Sequence, residues 1–415
     1  MHHALHIASA PSNVPLSHTP SLIAPLRIGV LIPNLQLGGA ERVCVLLADA
    51  WLKRGHRVTV MTLGGVEQDA YTLPARATRL VLGHDQTASG LWPALKKNLK
   101  RVARLRREMQ DFDVVLSFLT ETNVCLAVAG RGGDTACVAA ERTYPPAVPL
   151  GRVRAAARRW SFRWLDEAVA QTADVARWLQ DNTQAPAVSA VPNPVALPLW
   201  RQAPLLDPAH WLPENAPMVL AAGRLASEKQ FDQLITAFVQ ASSAGQQHPL
   251  WRLVIVGDGP LRANLQAHID ALGATSRVLL PGRCGNMGDW MGRASAFAMT
   301  SAFEGYPNAL LEALASGVPA VAYDCPTGPR ALIRHGENGL LVPSGDVDEL
   351  SSALKILMTQ PGLRARLATL ALHTADTHAP AWIASQWETV FQRAIARRRD
   401  RGQHKRNPLH SEQTA

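Results

Sequence analysis

The chain has 415 residues, of which 47% are hydrophobic and 18% charged, and its formal net charge is +9. The hydrophobic share is ample for a folded core, the length suits two or three domains of roughly 150 residues each, and a basic surface favours anionic partners such as nucleotides, nucleic acid or acidic lipid headgroups. The five cysteines, Cys44, Cys125, Cys137, Cys284 and Cys325, are scattered without CxxC spacing, which argues against a disulfide framework or a zinc site and fits a reducing compartment.

Residues 1–25 hold four His and four Pro and no Lys or Arg. They make a poor signal peptide and are expected to form a disordered lead. No apolar run approaches the roughly 18 residues of a spanning helix, so the chain is read as cytoplasmic. The first regular unit follows. "RIGVLIP" is a short apolar run, as expected for a strand buried on both faces. A Gly38-Gly39 turn leads into a helical pattern through Val43, Leu46, Leu47, Ala50 and Trp51. Gly55 ends it, and "RVTVMTL" is the next strand, completing a βαβ unit.

Residues 91–109 read as a basic amphipathic helix, with seven Lys/Arg and one Glu. Its apolar positions are Trp92, Leu95, Leu99, Val102 and Leu105. Strands are expected at 113–119, 136–141, 167–172 and 187–193. A second basic helix, at 151–165, places Trp160 and Trp164 on one face. This alternation implies a parallel sheet and an N-terminal domain over 26–195. Seven prolines fall between 192 and 217. Proline at that density blocks regular helix and central strand, so 196–217 is the expected linker. A second α/β run has strands at 218–225, 251–260, 276–283, 294–301, 319–324 and 339–343, giving a domain over 218–378. A helix over 379–398 is expected to pack back on the first domain, followed by a disordered basic tail at 399–415. The fold class is α/β, with two Rossmann-like domains facing across a central cleft. Ligands of open parallel sheets bind beyond the C-terminal edges of the strands, so both halves face the cleft with those edges.

Three stretches carry chemistry. "ASAFAMTS", "AFEGYPN" and "ALLEALAS" are strand, loop and helix in succession. The loop therefore feeds a helix N-terminus, whose free N–H groups and positive dipole end bind phosphate. Glu304 sits in the loop and Glu312 about a turn into the helix. Carboxylates repel an anion, so they suit a ligand with hydroxyls next to its phosphates, such as a nucleotide sugar. A solvated glutamate on an ordinary amphipathic helix is the alternative. In "AAGRLASEK", Arg224 and Lys229 flank a short loop after a strand. They can hold a pyrophosphate, Arg by forked hydrogen bonds and Lys as a point charge, or stand as exposed surface cations. In "NLQLGGAE", Gly39 lets backbone approach a ligand closely at a helix start. It lacks the GxGxxG fingerprint and the lysine of a GxxxxGK[ST] loop.

Taken together, "GRLASEKQFDQLI", "VGDGP", "EGYPNALLEALASGVPAV" and "ENGLLVP" resemble the family-4 retaining glycosyltransferases of GT-B fold, over residues 26–398. The resemblance implies that Glu304 contacts the donor sugar hydroxyls, Glu312 the ribose, and Arg224 and Lys229 the donor pyrophosphate. It implies further donor contacts from Gly39, Gly305, Tyr306, Pro307, Asn308 and Leu311. Many relatives carry a histidine near the reaction centre where this chain has "AAERTYP". Glu141 and Arg142 stand there as candidates for orienting sugar or acceptor. That departure and "DCPTGPRALI" resemble a subgroup that transfers hexoses or N-acetylhexosamines to lipid-linked oligosaccharides or surface polysaccharides. UDP is the expected donor nucleotide.

No metal and no cofactor is expected. "DFD" at 111–113 and "DVD" at 346–348 mimic a metal-binding DxD, yet one precedes its strand and the other starts a helix. The basic helices point to an anionic membrane surface, through Trp92, Lys96, Lys97, Lys100, Arg101, Arg158, Arg159 and Trp160. The chain is therefore expected to be peripheral at the inner face of the cell membrane. The alternative is a pair of ordinary amphipathic helices. Nucleic acid is disfavoured, because no aromatic RNA platform, zinc finger or helix-turn-helix signature is present. Two other functions fit the architecture: a nucleotide-sugar epimerase and a non-catalytic sugar-nucleotide-binding protein.

Overall fold

A computed structural model describes residues 23–67, 69–83, 91–243 and 251–406. In the first half, β1 (Arg27–Ile32), α1 (Gly39–Lys53), β2 (Arg57–Thr62) and β3 (Thr78–Val81) precede α2 (Leu91–Glu108). Then come β4 (Val114–Phe118), α3 (Thr120–Ala129), β5 (Ala136–Ala140), α4 (Arg152–Ser161), β6 (Glu167–Ala170), α5 (Ala173–Asn182) and β7 (Val188–Ala190). The second half has β8 (Met218–Ala222), α6 (Phe231–Ser243), β9 (Arg252–Val256), α7 (Arg262–Ala271) and β10 (Val278–Gly282). It continues with α8 (Met287–Arg293), β11 (Ala296–Met299), α9 (Asn308–Ala315), β12 (Ala320–Asp324), α10 (Pro329–Leu332) and β13 (Gly339–Pro343). Four helices close the chain: α11 (Val347–Thr359), α12 (Pro361–Ala371), α13 (His373–Thr377) and α14 (Pro380–Arg406).

Among the described residues the strands form two parallel sheets, ordered β3-β2-β1-β4-β5-β6-β7 and β10-β9-β8-β11-β12-β13. Every residue of β4 and β5 is buried, which requires cover on both faces. Alternate residues divide between the faces. Ala136, Val138 and Ala140 join the core under α1 and α14, while Cys137 and Ala139 join the core under α3. Both sheets reverse strand order in the middle, at β1/β4 and at β8/β11. Loops diverge at such a point and leave a crevice at the C-terminal edge. The strand β3 was not anticipated. It is a short edge strand, half-buried and without an apolar run.

The last helix crosses back to the first half. Trp387 and Phe391 of α14 are fully buried, and the Phe391 ring lies 5.3 Å from that of Trp51. Glu388 accepts from Arg54 (Nη2–Oε2 2.7 Å) and lies 3.1 Å from His56 Nε2. The expected disordered tail is corrected, because α14 continues to Arg406. The reason is electrostatic: Arg393 and Arg397 hold the buried Glu167, and Arg398 and Arg401 hold the buried Asp166. The basic run is engaged at the start of β6. The expected tail beyond 406 and the lead over 1–22 lie outside the described residues.

The proline-rich stretch joins the sheets and is tied to the second half. Gln202 N–H donates to Gly285 O at 2.9 Å, and Gly285 N–H to Pro204 O at 2.7 Å. The two DxD look-alikes have structural partners. Asp113 pairs with Arg27 at 2.9 Å, and Asp346 caps α11 through Glu349 N–H at 2.9 Å.

Candidate active site

The second half contributes the loops after β8, β11 and β12. Lys229 ends a 3-10 turn after β8, and its Nζ lies 2.5 Å from Glu304 Oε1. Ser301 Oγ donates to the same carboxylate oxygen at 2.6 Å. Thr327 donates to the Glu304 carbonyl, and Thr300 Oγ1 to the Lys229 carbonyl at 2.8 Å. Three loops are thus laced around one ion pair, whose side chains are 22% and 14% exposed. Arg224 stands apart at the rim. Its side chain is 70% exposed and donates to Glu228 at 2.6 Å. Burial pushes the Glu228 carboxyl up, but the Arg224 hydrogen bond, a backbone hydrogen bond and the charges of Arg224 and Lys229 together hold it below the usual range.

Pro307 precedes α9, and among the described residues no side chain caps that helix. Its first-turn N–H groups have no intrahelical acceptor. Tyr306 is buried, with its hydroxyl 2.7 Å from His378 Nε2, and burial pushes the phenol above its ordinary range. Leu311 lies in the core behind α9, so its side chain does not face the cleft. Glu312 is also buried, and its Oε1 pairs at 2.5 Å with Arg42 Nη1, from the other half. Burial raises the Glu312 pKa, and Arg42 opposes the rise.

The first half closes on this wall. A Cβ at Gly39 would come 2.7 Å from Asn308 Nδ2, and one at Gly305 would come 2.5 Å from the Arg142 carbonyl. A side chain at Gly305 would run into the backbone of the first half, whereas one at Gly39 would have to displace the Asn308 amide. Asn193 Nδ2 donates to Asn308 Oδ1 at 2.7 Å, and Gln171 Nε2 donates to Asn193 Oδ1 at 2.9 Å. Between these groups lies a cavity of about 270 Å³, lined by Gly39, Glu41, Arg142, Gln171, Asn193 and Asn308 among others. Glu141 and Arg142 part company here. Glu141 is buried beneath the loop and accepts from Thr120 (2.9 Å), Thr143 (2.8 Å) and Arg142 N–H (3.2 Å). Arg142 lines the cavity.

Sequence reasoning missed Arg42, Gln171 and Asn193. Arg42 had a signal. A cation near the positive end of α1 opposes the helix dipole, so its placement points to a partner elsewhere. Gln171 and Asn193 follow β6 and β7 at the same sheet edge, but nothing local marks them.

The membrane-surface candidates divide. Lys96, Lys100 and Arg159 are exposed. Trp160 is 55% exposed, with Arg163 stacked 4.1 Å over its ring. Lys97 is partly buried. Two assignments are corrected. Arg158 is buried, stacked over Trp178 and 4.0 Å from Glu141. Arg101 is turned toward Glu121 on α3, with its side chain only 12% exposed. The Trp92 side chain lies outside the described residues. Leu99, one of the expected apolar positions of α2, is 60% exposed. Trp164 does not share a face with Trp160, because a 3-10 turn ends α4 and places Trp164 against Arg131.

Two parallel Rossmann-like sheets, with an ion pair and a helix N-terminus at the edge between them, define a two-domain group-transfer architecture. The "Glycosyltransferase Family 4" model matches residues 37–197, and the "Glycosyl transferases group 1" model matches 205–372. The chain belongs to the family-4 glycosyltransferases of GT-B fold. It is 37% identical over 242 residues to an exopolysaccharide phosphotransferase of Streptomyces coelicolor, covering 57% of this chain but 24% of that protein. It is 25% identical over 371 residues to an uncharacterized glycosyltransferase of Haemophilus influenzae (88% of this chain, 99% of that one). It is also 25% identical over 375 residues to the N-acetylgalactosaminyltransferase of Campylobacter jejuni that acts on a diNAcBac-PP-undecaprenol-linked disaccharide (87% and 97%). The fold superposes on that of Anabaena HepE, solved in complex with UDP, with a TM-score of 0.72 at 19% identity over 88% of this chain and 99% of that one.

Proposed function

We propose that the protein is a retaining glycosyltransferase using a nucleotide-diphosphate sugar, with UDP the favoured nucleotide. The transferred group is a hexose or N-acetylhexosamine. The acceptor is a lipid-linked oligosaccharide or a surface polysaccharide, as the name of the Campylobacter relative suggests. The observation that carries the reading is the meeting of Lys229, Glu304 and the uncapped α9 N-terminus at one point of the cleft.

In this reading the donor diphosphate lies at the α9 N-terminus, with Lys229 and Arg224 as its cations. These groups stabilise charge developing on the leaving diphosphate, so the proposal includes no metal ion. Glu304 accepts from the sugar hydroxyls. Arg42 holds Glu312 by Oε1, and the proposal assigns Oε2 to the ribose. The acceptor hydroxyl attacks from the face the diphosphate leaves, and positioning supplies much of the rate. The exposed Lys96, Leu99 and Lys100 of α2 and Val153, Arg159 and Trp160 of α4 form the membrane-facing surface at the cytoplasmic side. No helix among the described residues is long and apolar enough to cross a membrane.

The test is thermal stabilisation by UDP, GDP and ADP, repeated with Glu312→Ala. A nucleotide at 100 times its dissociation constant adds about 2.7 kcal/mol. UDP is expected to raise the Tm of the wild type and not of the variant. No shift with any nucleotide would overturn the donor assignment.

A further inference from the structure

Arg142 lies two residues beyond the end of β5 and is 9% exposed. Its guanidinium carbon lies 4.5 Å from the centre of the Phe118 ring. Neither Nε nor Nη2 has a hydrogen-bond partner among the described residues, although both are buried. Those two nitrogens form one edge of the guanidinium. That edge is the fork which meets a carboxylate or phosphate with two parallel hydrogen bonds. A buried polar group without a partner is costly, and a folded protein keeps one where a ligand completes it.

The neighbours that could neutralise Arg142 are occupied. Glu141 spends its oxygens on Thr120, Thr143 and the Arg142 backbone N–H. Glu41, the other charged group on the cavity wall, is folded back against Gly38. Burial accordingly lowers the Arg142 pKa to about 9, against the pull of its acidic neighbours. A second unpartnered atom lines the same cavity. Gln171 Oε1 is buried and accepts no hydrogen bond among the described residues. The cavity thus offers a fork for an oxyanion and an acceptor for a hydroxyl or amide N–H.

We propose that the Nε/Nη2 edge of Arg142 binds a substrate oxyanion, a phosphate or a carboxylate, with Gln171 Oε1 accepting from a donor group beside it. The inference rests on reading the cleft as the transfer site. It adds a cation from the first half, opposite Lys229. The oxyanion could belong to the donor diphosphate, to a phosphate on the acceptor, or to a uronic acid.

The test compares the full-length wild type with Arg142→Met and Arg142→Lys by calorimetric titration and melting. Three probes separate the sources: UDP alone, then farnesyl diphosphate or glucuronic acid added to UDP-saturated enzyme. At least a tenfold loss of affinity is expected for one probe in both variants, since Lys keeps the charge but not the fork. Without ligand, Arg142→Met is expected to melt no lower than the wild type, because it removes an unpartnered buried charge. Unchanged affinity for all three probes would overturn the proposal, as would a lower melting temperature with affinities intact. Failure of the wild type to bind UDP would instead overturn the transfer reading, and this inference with it.

Discussion

Glu304 and Lys229 hold each other at 2.5 Å, and Ser301 supports the same oxygen. On the proposed reading, a donor entering the cleft exchanges part of that pair, its phosphate taking the ammonium and its sugar hydroxyls the carboxylate. Glu304→Ala is therefore expected to lower transfer roughly 100-fold or more, while the circular dichroism spectrum stays that of a folded protein. Wild-type turnover in a folded Glu304→Ala protein would remove the assignment. The residue was legible because it sits in a strand-to-helix loop, where a carboxylate without a local purpose stands out. Arg42 is the opposite case. Its partner Glu312 lies in the other half of the chain, so neither residue's neighbours in sequence disclose the pair.

At the scale of elements, α9 and α14 follow different rules. A strand, a Pro-Asn helix start and a stop at Gly317 make α9 readable from sequence. For α14, its anchors are remote: Arg54 and Glu388 are 334 residues apart. Burial pushes the Glu388 carboxyl up, but hydrogen bonds from Arg54 and His56 outweigh it and hold it below the usual range. A lowered carboxyl pKa contributes stability above the unfolded value and loses it as pH falls through the folded one. Glu388 therefore stabilises the protein at neutral pH, begins to lose that contribution near the ordinary glutamate value of about 4.3, and has lost it only below its lowered folded value. Glu388→Gln is expected to cost about 3 kcal/mol at pH 7 and to flatten the acid limb of a Tm-versus-pH curve. An acid limb as steep as that of the wild type would rule Glu388 out as its source. The same charges explain why residues 399–406 are helical: Asp166 and Glu167 neutralise a run that would otherwise repel itself.

For the molecule as a whole, two surfaces matter. Across the cleft, Asn193 and Asn308 bond at 2.7 Å although 115 residues separate them. Asn193→Ala removes that bond and leaves Lys229, Glu304 and the α9 N-terminus in place. Its ligand-free radius of gyration by small-angle scattering is expected to exceed that of the wild type, with UDP restoring the compact form. An unchanged radius would mean that other contacts hold the cleft closed. On the outside, Lys96, Lys100 and Arg159 flank exposed apolar side chains. Each cation near an anionic leaflet contributes about 1 kcal/mol. Reversing all three charges is expected to abolish salt-sensitive binding to anionic liposomes and leave UDP affinity unchanged. Liposome binding that survives the reversal would move the membrane contact elsewhere.

The sequence by itself determined the two α/β runs, the strand edges that face the cleft, and the loop and helix that carry Lys229, Glu304 and Glu312 in the second half. These are local patterns: apolar runs, turns and a few residues at the junction of strand and helix. Only the tertiary structure decided which groups meet. It paired Arg42 with Glu312, turned Glu141 under its loop and left Arg142 facing the cavity. It also buried Arg158, which the helical pattern alone had placed on the surface. The reason is physical. A side chain's partner across a cleft depends on how the two sheets twist and how closely their glycines let them approach, and no spacing within one segment records either.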